Sequence, residues 1–384
     1  MAARFKNRTQ ILKLSLNNLG YSLRYLSSTL VQNVPNCSVI PLWSQKVNNF
    51  GYLRVFSGNF GVHITGSNSW HGEQSTVSVS LVSDCKDVLK YEKDLGVIRE
   101  FICCDASNKD DGLSQVTIQT DDNKIFQNFK STLLERSKLR IEMPHSYELY
   151  LNSSSQAPVT VEKLECDDIK IHTEGNCLLS QLKSQLITVN SNSGDILSES
   201  SLVGDLELTT NKDGRVHLGK IQGNDMKINC EDGNVMISSL YGGDVLVNTQ
   251  LGNIIIGDAH GNIEVTSISG DIKCGSISGL LKALSEDGNI ETKLTLGGNV
   301  NATGLNGNAI IKLDSDLKCK LELSSKTMNI TPDLQIHEKS ERTADDLTTL
   351  TGQTHGAGEQ YGTVRCQKGN IDLLQESWFV MPKS

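Results

Sequence analysis

A glycine followed by Asn or Asp and then an aliphatic residue recurs every nine or ten residues through the second half of the chain. It stands at Gly194-Asp195-Ile196, Gly204-Asp205-Leu206, Gly233-Asn234-Val235, Gly243-Asp244-Val245 and Gly252-Asn253-Ile254. It continues at Gly261-Asn262-Ile263, Gly270-Asp271-Ile272, Gly288-Asn289-Ile290 and Gly298-Asn299-Val300, and the degenerate copies Gly214-Arg215-Val216, Gly223-Asn224-Asp225, Gly279-Leu280-Leu281 and Gly307-Asn308-Ala309 keep the step. Between the glycines, apolar and polar residues alternate, as in Leu206-Glu207-Leu208 and Ile263-Glu264-Val265. Alternation of this kind marks a strand with one buried face. Glycine beside Asn or Asp supplies the positive φ that tight turns need. Each unit therefore reads as one short strand and one turn. An antiparallel meander tolerates strands of unequal length. A coil does not, because each unit must match the unit one rung below. The regular step predicts an all-β chain folded as a single-stranded parallel β-solenoid (β-helix), with two units and about 19 residues per rung.

In that coil the turn Asn and Asp side chains stack into a ladder that bonds the turn backbone. Calcium nonapeptide coils need doubled glycines in register with Asp. Only Gly242-Gly243-Asp244 and Gly297-Gly298-Asn299 come near that pattern, so no metal is expected.

The rhythm sets the domain boundaries. Residues 146–330 carry the repeats. Residues 35–145 hold longer β-type segments, at Gly61–Ile64, Ser75–Val82, Leu113–Gln119 and Leu139–Glu142, expected to open and cap the coil. An uncovered solenoid end is an exposed sheet edge that invites aggregation. Residues 331–360 are polar and lack periodicity, which predicts a mobile insert. Residues 361–384 restore one unit at Gly369-Asn370-Ile371, with Trp378, Phe379 and Val380 to seat it.

Charge divides the chain differently. Seven Lys or Arg and no Asp or Glu stand in residues 1–72, so a formal net charge of −9 leaves −16 for the remainder. An acidic body argues against nucleic acid or an anionic membrane as partner. No apolar run reaches the roughly 20 residues of a membrane span. Residues 1–34 are basic, rich in Ser and Leu, and free of acids, the composition of a mitochondrial transit peptide. Arg24-Tyr25-Leu26-Ser27 resembles a processing motif, with the cut between Leu26 and Ser27. A cytoplasmic location is the alternative.

Ten cysteines have neither C-x-x-C nor metal-ligand spacing. Several share a strand face with aliphatics, as in Met226, Ile228 and Cys230, and read as reduced core residues. Ser180 and Lys183 fit S-x-x-K, but no companion motif supports it. The eight His are dispersed, and His172 and His217 read as solvated. No catalytic residue, cofactor or metal site is expected.

The segments LRIEMPHSYELYLNSSSQAPVTVEKLECDDIKIHTEGN and SNSGDILSESSLVGDLELTTNKDGRVHLGKIQGN carry a Pro after a short strand, then repeated Gly-Asp/Asn-aliphatic units. In these traits the chain resembles the putative-adhesin β-solenoid family, over about residues 48 to 325 and the unit near 369. The resemblance implies a single-coil β-solenoid and no catalytic residues to carry over.

The reading is a non-enzymatic interaction scaffold for unknown protein partners. Its candidate surface is the outward set Glu207, Lys227, Glu264, Lys273, Glu291 and Lys312. A glycan-binding or glycan-active β-helix is the alternative, marked by outward charges on adjacent rungs beside an aromatic. An extracellular adhesin is another, which would carry glycans at Asn152, Asn301 and Asn329.

Overall fold

The computed structural model describes residues 38–67, 75–83, 100–108, 112–121, 137–356 and 358–376. The basic N-terminal segment with Leu26 and Ser27, and the Trp378-Phe379-Val380 run, lie outside the described residues.

The chain opens with β1 (Ser38–Val47), β2 (Gly51–Ser57), β3 (Gly61–Ser67), β4 (Ser75–Ser83), β5 (Ile102–Asn108), β6 (Ser114–Thr120), β7 (Ser137–Pro144) and β8 (Glu148–Ser153). The regular coil follows as β9 (Val159–Thr173), β10 (Cys177–Ser191), β11 (Ile196–Thr210), β12 (Val216–Gln222), β13 (Asp225–Cys230), β14 (Val235–Leu251), β15 (Ile254–Ser269), β16 (Ile272–Ser285), β17 (Ile290–Gly304) and β18 (Ala309–Asp314). The last strands are β19 (Cys319–Ser325), β20 (Thr327–Ile330), β21 (Ile336–Ala344), β22 (Leu347–Thr354), β23 (Gln360–Cys366) and β24 (Asn370–Glu376).

The fold is the parallel β-solenoid that the repeat predicts. Val159, Cys177, Ile196, Val216, Val235, Ile254, Ile272, Ile290 and Ala309 pair in succession, each directly above the last. Two sheets run up the coil. Sheet I contains β3, the first halves of the long strands, β12, β18 and β24. Sheet II contains β2, β8, the second halves of the long strands, β13 and β23. Apolar columns fill the space between them. In β15 these are Ile254, Ile256, Ala259, Ile263 and Val265, all buried. Each large aliphatic so placed contributes about 1.5–3 kcal/mol.

The two glycine columns differ, which corrects the reading of every unit as a turn. Gly194, Gly233, Gly252, Gly270, Gly288 and Gly307 do lie between strands. A Cβ on Gly233 would sit 2.0 Å from the Gly214 carbonyl oxygen, and one on Gly288 2.0 Å from that of Gly270. Glycine stacks on glycine here because the rung below leaves no room for a side chain. Gly204 and Gly261 instead lie inside β11 and β15, at φ 127° and 119°. They bend a continuous strand from one sheet into the other.

The Asn/Asp ladder forms, and its partner is the backbone of the next rung. Asn253 N donates to Asn234 Oδ1 at 2.8 Å, Asp271 N to Asn253 Oδ1 at 2.7 Å, Asn289 N to Asp271 Oδ1 at 2.8 Å and Asn308 N to Asn289 Oδ1 at 3.0 Å. Inside the same corner a column of hydroxyls caps the glycine carbonyls. Thr210 Oγ1 donates to Gly214 O at 2.7 Å, Ser267 Oγ to Gly252 O at 3.1 Å and Ser285 Oγ to Gly270 O at 3.2 Å. Cys230 takes a place in this column, its Sγ 3.1 Å from Gly214 O. A buried carbonyl left unpaired would cost free energy on every rung.

Both ends close by the same device. At the N-terminal end, β2 and β3 lie one place inside. β6 covers β2 and β7 covers β3 on the outer side, while β8 and β9 stack on the inner side. β5 then pairs antiparallel with β6, and β4 with β7, with β1 beyond it. At the C-terminal end, β23 lies between β17 and β19, and β24 between β18 and β20. The last rung of the sequence is thus threaded beneath the rung before it. The ladder jumps with it: Asn370 N donates to Asn308 Oδ1 at 2.9 Å, across 62 residues.

The segment 331–360, read from its composition as a polar mobile insert, contains the hairpin β21–β22, which pairs antiparallel with β19. It covers the outer edge of β19. Nearly all of β21 is exposed, including Glu338, Lys339, Glu341 and Arg342, so a charged strand forms the final edge. Charge on an edge strand opposes further pairing. The polar composition of the insert serves this edge.

The cysteines are free among the described residues. Cys177, Cys230, Cys274, Cys319 and Cys366 are buried, as the core reading expects, whereas Cys103 is exposed and Cys104 and Cys166 half-buried. Burial pushes the Cys177 and Cys274 thiols up to about 12, which keeps them protonated and inert.

Candidate functional site

The outward side of sheet II is a grid with three lanes. Successive strands place Arg54, Tyr150, Lys170, Thr188, Glu207 and Lys227 in register down its middle lane. Leu246, Glu264 and Lys282 continue it. Two grooves lie along this face.

The central groove, about 710 Å³, is lined by Asp205, Glu207, Asp225, Lys227, Asp244, Glu264 and Lys282 among others. Its lining contains no aromatic residue. Of its acids, Asp205 is partly engaged, since its Oδ1 accepts from the backbone N of both Asn224 and Asp225 at 2.9 Å.

The second groove, about 490 Å³, lies nearer the N-terminal closure. It is lined by Tyr52, Arg54 and Phe56 of β2, Glu148 and Tyr150 of β8, and Asp168 and Lys170 of β9. Phe56 and Tyr150 have ring centroids 5.8 Å apart with planes tilted by 53°. Tyr150 and His172 follow at 5.9 Å and 58°. The rings therefore form a shallow herringbone across three rungs. Lys170 Nζ donates to Asp168 Oδ2 at 2.8 Å, while Asp168 Oδ1 is buried with no hydrogen-bond partner. Burial pushes the Glu148 carboxyl above its ordinary value, and the nearby Asp168 and Asp167 add to this against Lys170. Charges on adjacent rungs beside aromatics are the mark expected of a glycan-binding β-helix, and this groove carries it.

The sequence-derived surface set divides. Glu207, Lys227 and Glu264 are exposed around the central groove. Lys273, Glu291 and Lys312 lie on the other sheet and are tied into ion pairs. Glu291 binds Lys273 and Lys312, each at 2.9 Å, and Glu376 binds Lys312 and Lys293, each at 3.2 Å. Lys293 also reaches Asp314 at 3.0 Å. Burial pushes Glu291 and Glu376 up, but hydrogen bonds from these lysines outweigh it and hold both carboxyls below their ordinary value. These residues clasp β24 to β17 and β18.

Lys183 of the S-x-x-K match forms an ion pair with Glu165. His172 packs on Tyr150, and His217 is half-buried between Leu197 and Met236 on the adjacent rungs of sheet I. Burial lowers the His217 pKa, and both histidines are half-buried rather than freely solvated. Among the described residues, no group of three or more His, Cys, Asp or Glu is placed to hold a metal ion. Among them, too, no helix is long and apolar enough to cross a membrane.

The sequence reading missed the aromatic groove. Tyr52 and Phe56 are separated from Tyr150 by about a hundred residues that contain no repeat, and only the threading of β2 beside β8 unites them.

The fold defines a β-solenoid closed at both ends. Within it, residues 103–254 match the Toastrack DUF4097 family, from β5 in the N-terminal closure to the start of β15. Three crystal structures align with 88–89% of the chain. One is a putative cell adhesion protein from Clostridium sporogenes, at 10% identity, covering 100% of that protein, with a TM-score of 0.18. Another is a putative adhesin from Bacteroides fragilis, at 11% identity, 97% coverage and a TM-score of 0.28. The third is a putative lipid binding protein from Parabacteroides distasonis, at 11% identity, 98% coverage and a TM-score of 0.33. Likeness at this level carries nothing of those proteins' roles to this chain.

Proposed function

We propose that the protein is a non-enzymatic interaction scaffold that acts in mitochondria and receives protein partners along the outward face of sheet II. One observation carries this reading. Parallel rungs hold outward side chains in fixed register around a groove of about 710 Å³, with Glu207, Lys227, Glu264 and Lys282 alternating in charge. Such arrays suit extended partners, because each rung repeats the spacing of the last. The mitochondrial part rests on the acid-free basic segment 1–34 and its Arg24-Tyr25-Leu26-Ser27 motif.

The test is proximity labelling with a C-terminal tag in cells, combined with sequencing of the mature N-terminus. The expected result is a chain beginning near Ser27, with mitochondrial neighbours that are lost from a Glu207→Lys, Glu264→Lys variant. N-linked glycans on the exposed Asn152, Asn301 or Asn329 would place the chain on the secretory route and overturn the mitochondrial reading. Neighbours unchanged in the charge-reversed variant would overturn the role of this face.

A further inference from the structure

The aromatic groove stands apart from the scaffold surface in its chemistry. Arg54 and Lys170 balance Glu148 and Asp168, so the lining is neutral overall and selects neither an anion nor a cation. The central groove differs, with five carboxylates against two lysines among the lining residues named above.

The hydrogen-bonding groups of the aromatic groove are of both kinds. Asp168 Oδ2 accepts from Lys170, and the Asp168 side chain is 34% exposed, so this oxygen can accept again from the groove, while Oδ1 is buried. Glu148, half-buried beside it, adds acceptors, and its carboxyl is raised first by burial and then by Asp168 and Asp167. Arg54 and the Tyr150 hydroxyl are donors on the same walls. The groove therefore offers acceptors and donors without net charge. Its walls supply the other half of the pattern: Tyr52, Phe56 and Tyr150 present half-buried ring surface, with the Phe56 and Tyr150 rings tilted by 53°.

A ligand that fits must offer several hydroxyl donors on its rim and apolar C–H surface on its face, and must carry no net charge. We infer that this groove is a carbohydrate-binding subsite for a neutral sugar ring, which rests on Tyr150 and Phe56 and donates hydroxyls to Asp168 and Glu148. Arg54 is exposed at the mouth and donates back to ring or hydroxyl oxygens. The groove volume of about 490 Å³ lies in the range of small-ligand sites and admits one or two rings. No bond is made or broken in this proposal; the groove binds. It does not rest on the scaffold reading.

The experiment uses the full chain and saturation-transfer NMR with maltotetraose, cellotetraose and chitotetraose, followed by titration of any that responds. At least one neutral tetrasaccharide should bind, and Tyr150→Ala should abolish the transfer signal. Asp168→Asn should weaken binding about tenfold, the scale of one lost charge-assisted hydrogen bond. Glu264→Gln in the central groove should change nothing. If Tyr150→Ala fails to fold, judged by its circular dichroism and melting profile, Asp168→Asn alone decides. No response from any of the three sugars overturns the proposal, as does binding that survives both Tyr150→Ala and Asp168→Asn. Binding lost equally in Glu264→Gln also overturns it, since the sugar would then lie in the wrong groove. Partner capture that persists in Tyr150→Ala keeps this outcome separate from that of the scaffold reading.

Discussion

The two closures of the solenoid share a topology and differ in chemistry. At each end a rung lies one place inside, between strands distant in sequence; antiparallel strands cover both β6 and β7 at the N-terminal end and β19 alone at the C-terminal end. The N-terminal closure is locked by packing. Tyr147, wholly buried between β7 and β8, donates its hydroxyl to Asn48 O at 2.8 Å. Gly51 runs so close that a Cβ there would lie 2.0 Å from Ser114 O and 2.9 Å from the Tyr147 ring. The C-terminal closure is clasped by the ion-pair network of Lys273, Lys293 and Lys312 with Glu291, Asp314 and Glu376. A packed ring resists salt. An ion clasp does not, so the two ends of one coil should fail under different conditions.

The most damaging change should be to empty the C-terminal slot. Ending the chain at Gly358 removes β23 and β24 and leaves both flanks of the slot with unpaired strand edges. Hydrogen exchange should show protection lost over 290–356 and retained over 148–230, because solenoid rungs contact only their neighbours. A chain ended at Glu376 is the control. Uniform loss of protection would mean that the two closures are not independent.

Tyr147→Ala comes next, with an expected cost of about 3–5 kcal/mol in urea unfolding, the range for deleting a large buried ring. Tyr147→Phe keeps the ring and should lose only about 1 kcal/mol with the hydrogen bond. Equal costs would show that the lock is polar rather than packed.

Glu376→Gln removes one arm of the clasp and should cost roughly 1 kcal/mol, since the side chain is part-exposed and its pairs are screened. Its effect should shrink in high salt, whereas that of Tyr147→Ala should not.

The smallest effect is that of acid. Glu291 and Glu376 have depressed folded pKa values, so their stabilising contribution is present above the ordinary carboxylate range. It is lost as pH falls from that range through the folded values. Glu148 is raised, so its destabilising contribution is relieved as pH falls through its folded value. His63 of β3, against β7 and β9, has its pKa lowered by burial and then by Lys138, so the N-terminal closure loses stability as pH falls from the ordinary histidine range through its folded value. In a His63→Gln chain, exchange at pH 7 and at pH 4 should therefore show 300–376 loosening before 137–173. The reverse order would break the comparison.

Much of the coil was legible in the sequence because every rung must repeat the one below. Period, parallel stacking and the Asn ladder all follow from that constraint. The difference between the turn column at Gly233 and the bend column at Gly261 was not, since both precede an Asn and an aliphatic residue. It depends on whether the neighbour above is another glycine turn or the middle of a strand. The threading was hidden for a related reason. Gly369-Asn370-Ile371 looks like any other unit, and strand pairing does not reveal its partner's place in the chain. The aromatic groove inherits that difficulty, because Phe56 meets Tyr150 only where β2 is threaded. The clasp was misjudged as free surface because outward direction is visible in alternation, whereas ion-pair partners are not.

The threaded C-terminal rung also makes time part of the architecture. Domains generally form as they are synthesised, from the N-terminus onward. Here β19 to β22 emerge before the strands that must lie beneath them. While the ribosome still holds the chain, the top of the coil is a roof without its supporting course. The body is finished only when its last stretch arrives and slides in as a keystone, so an interrupted translation product is recognisable by an open seam.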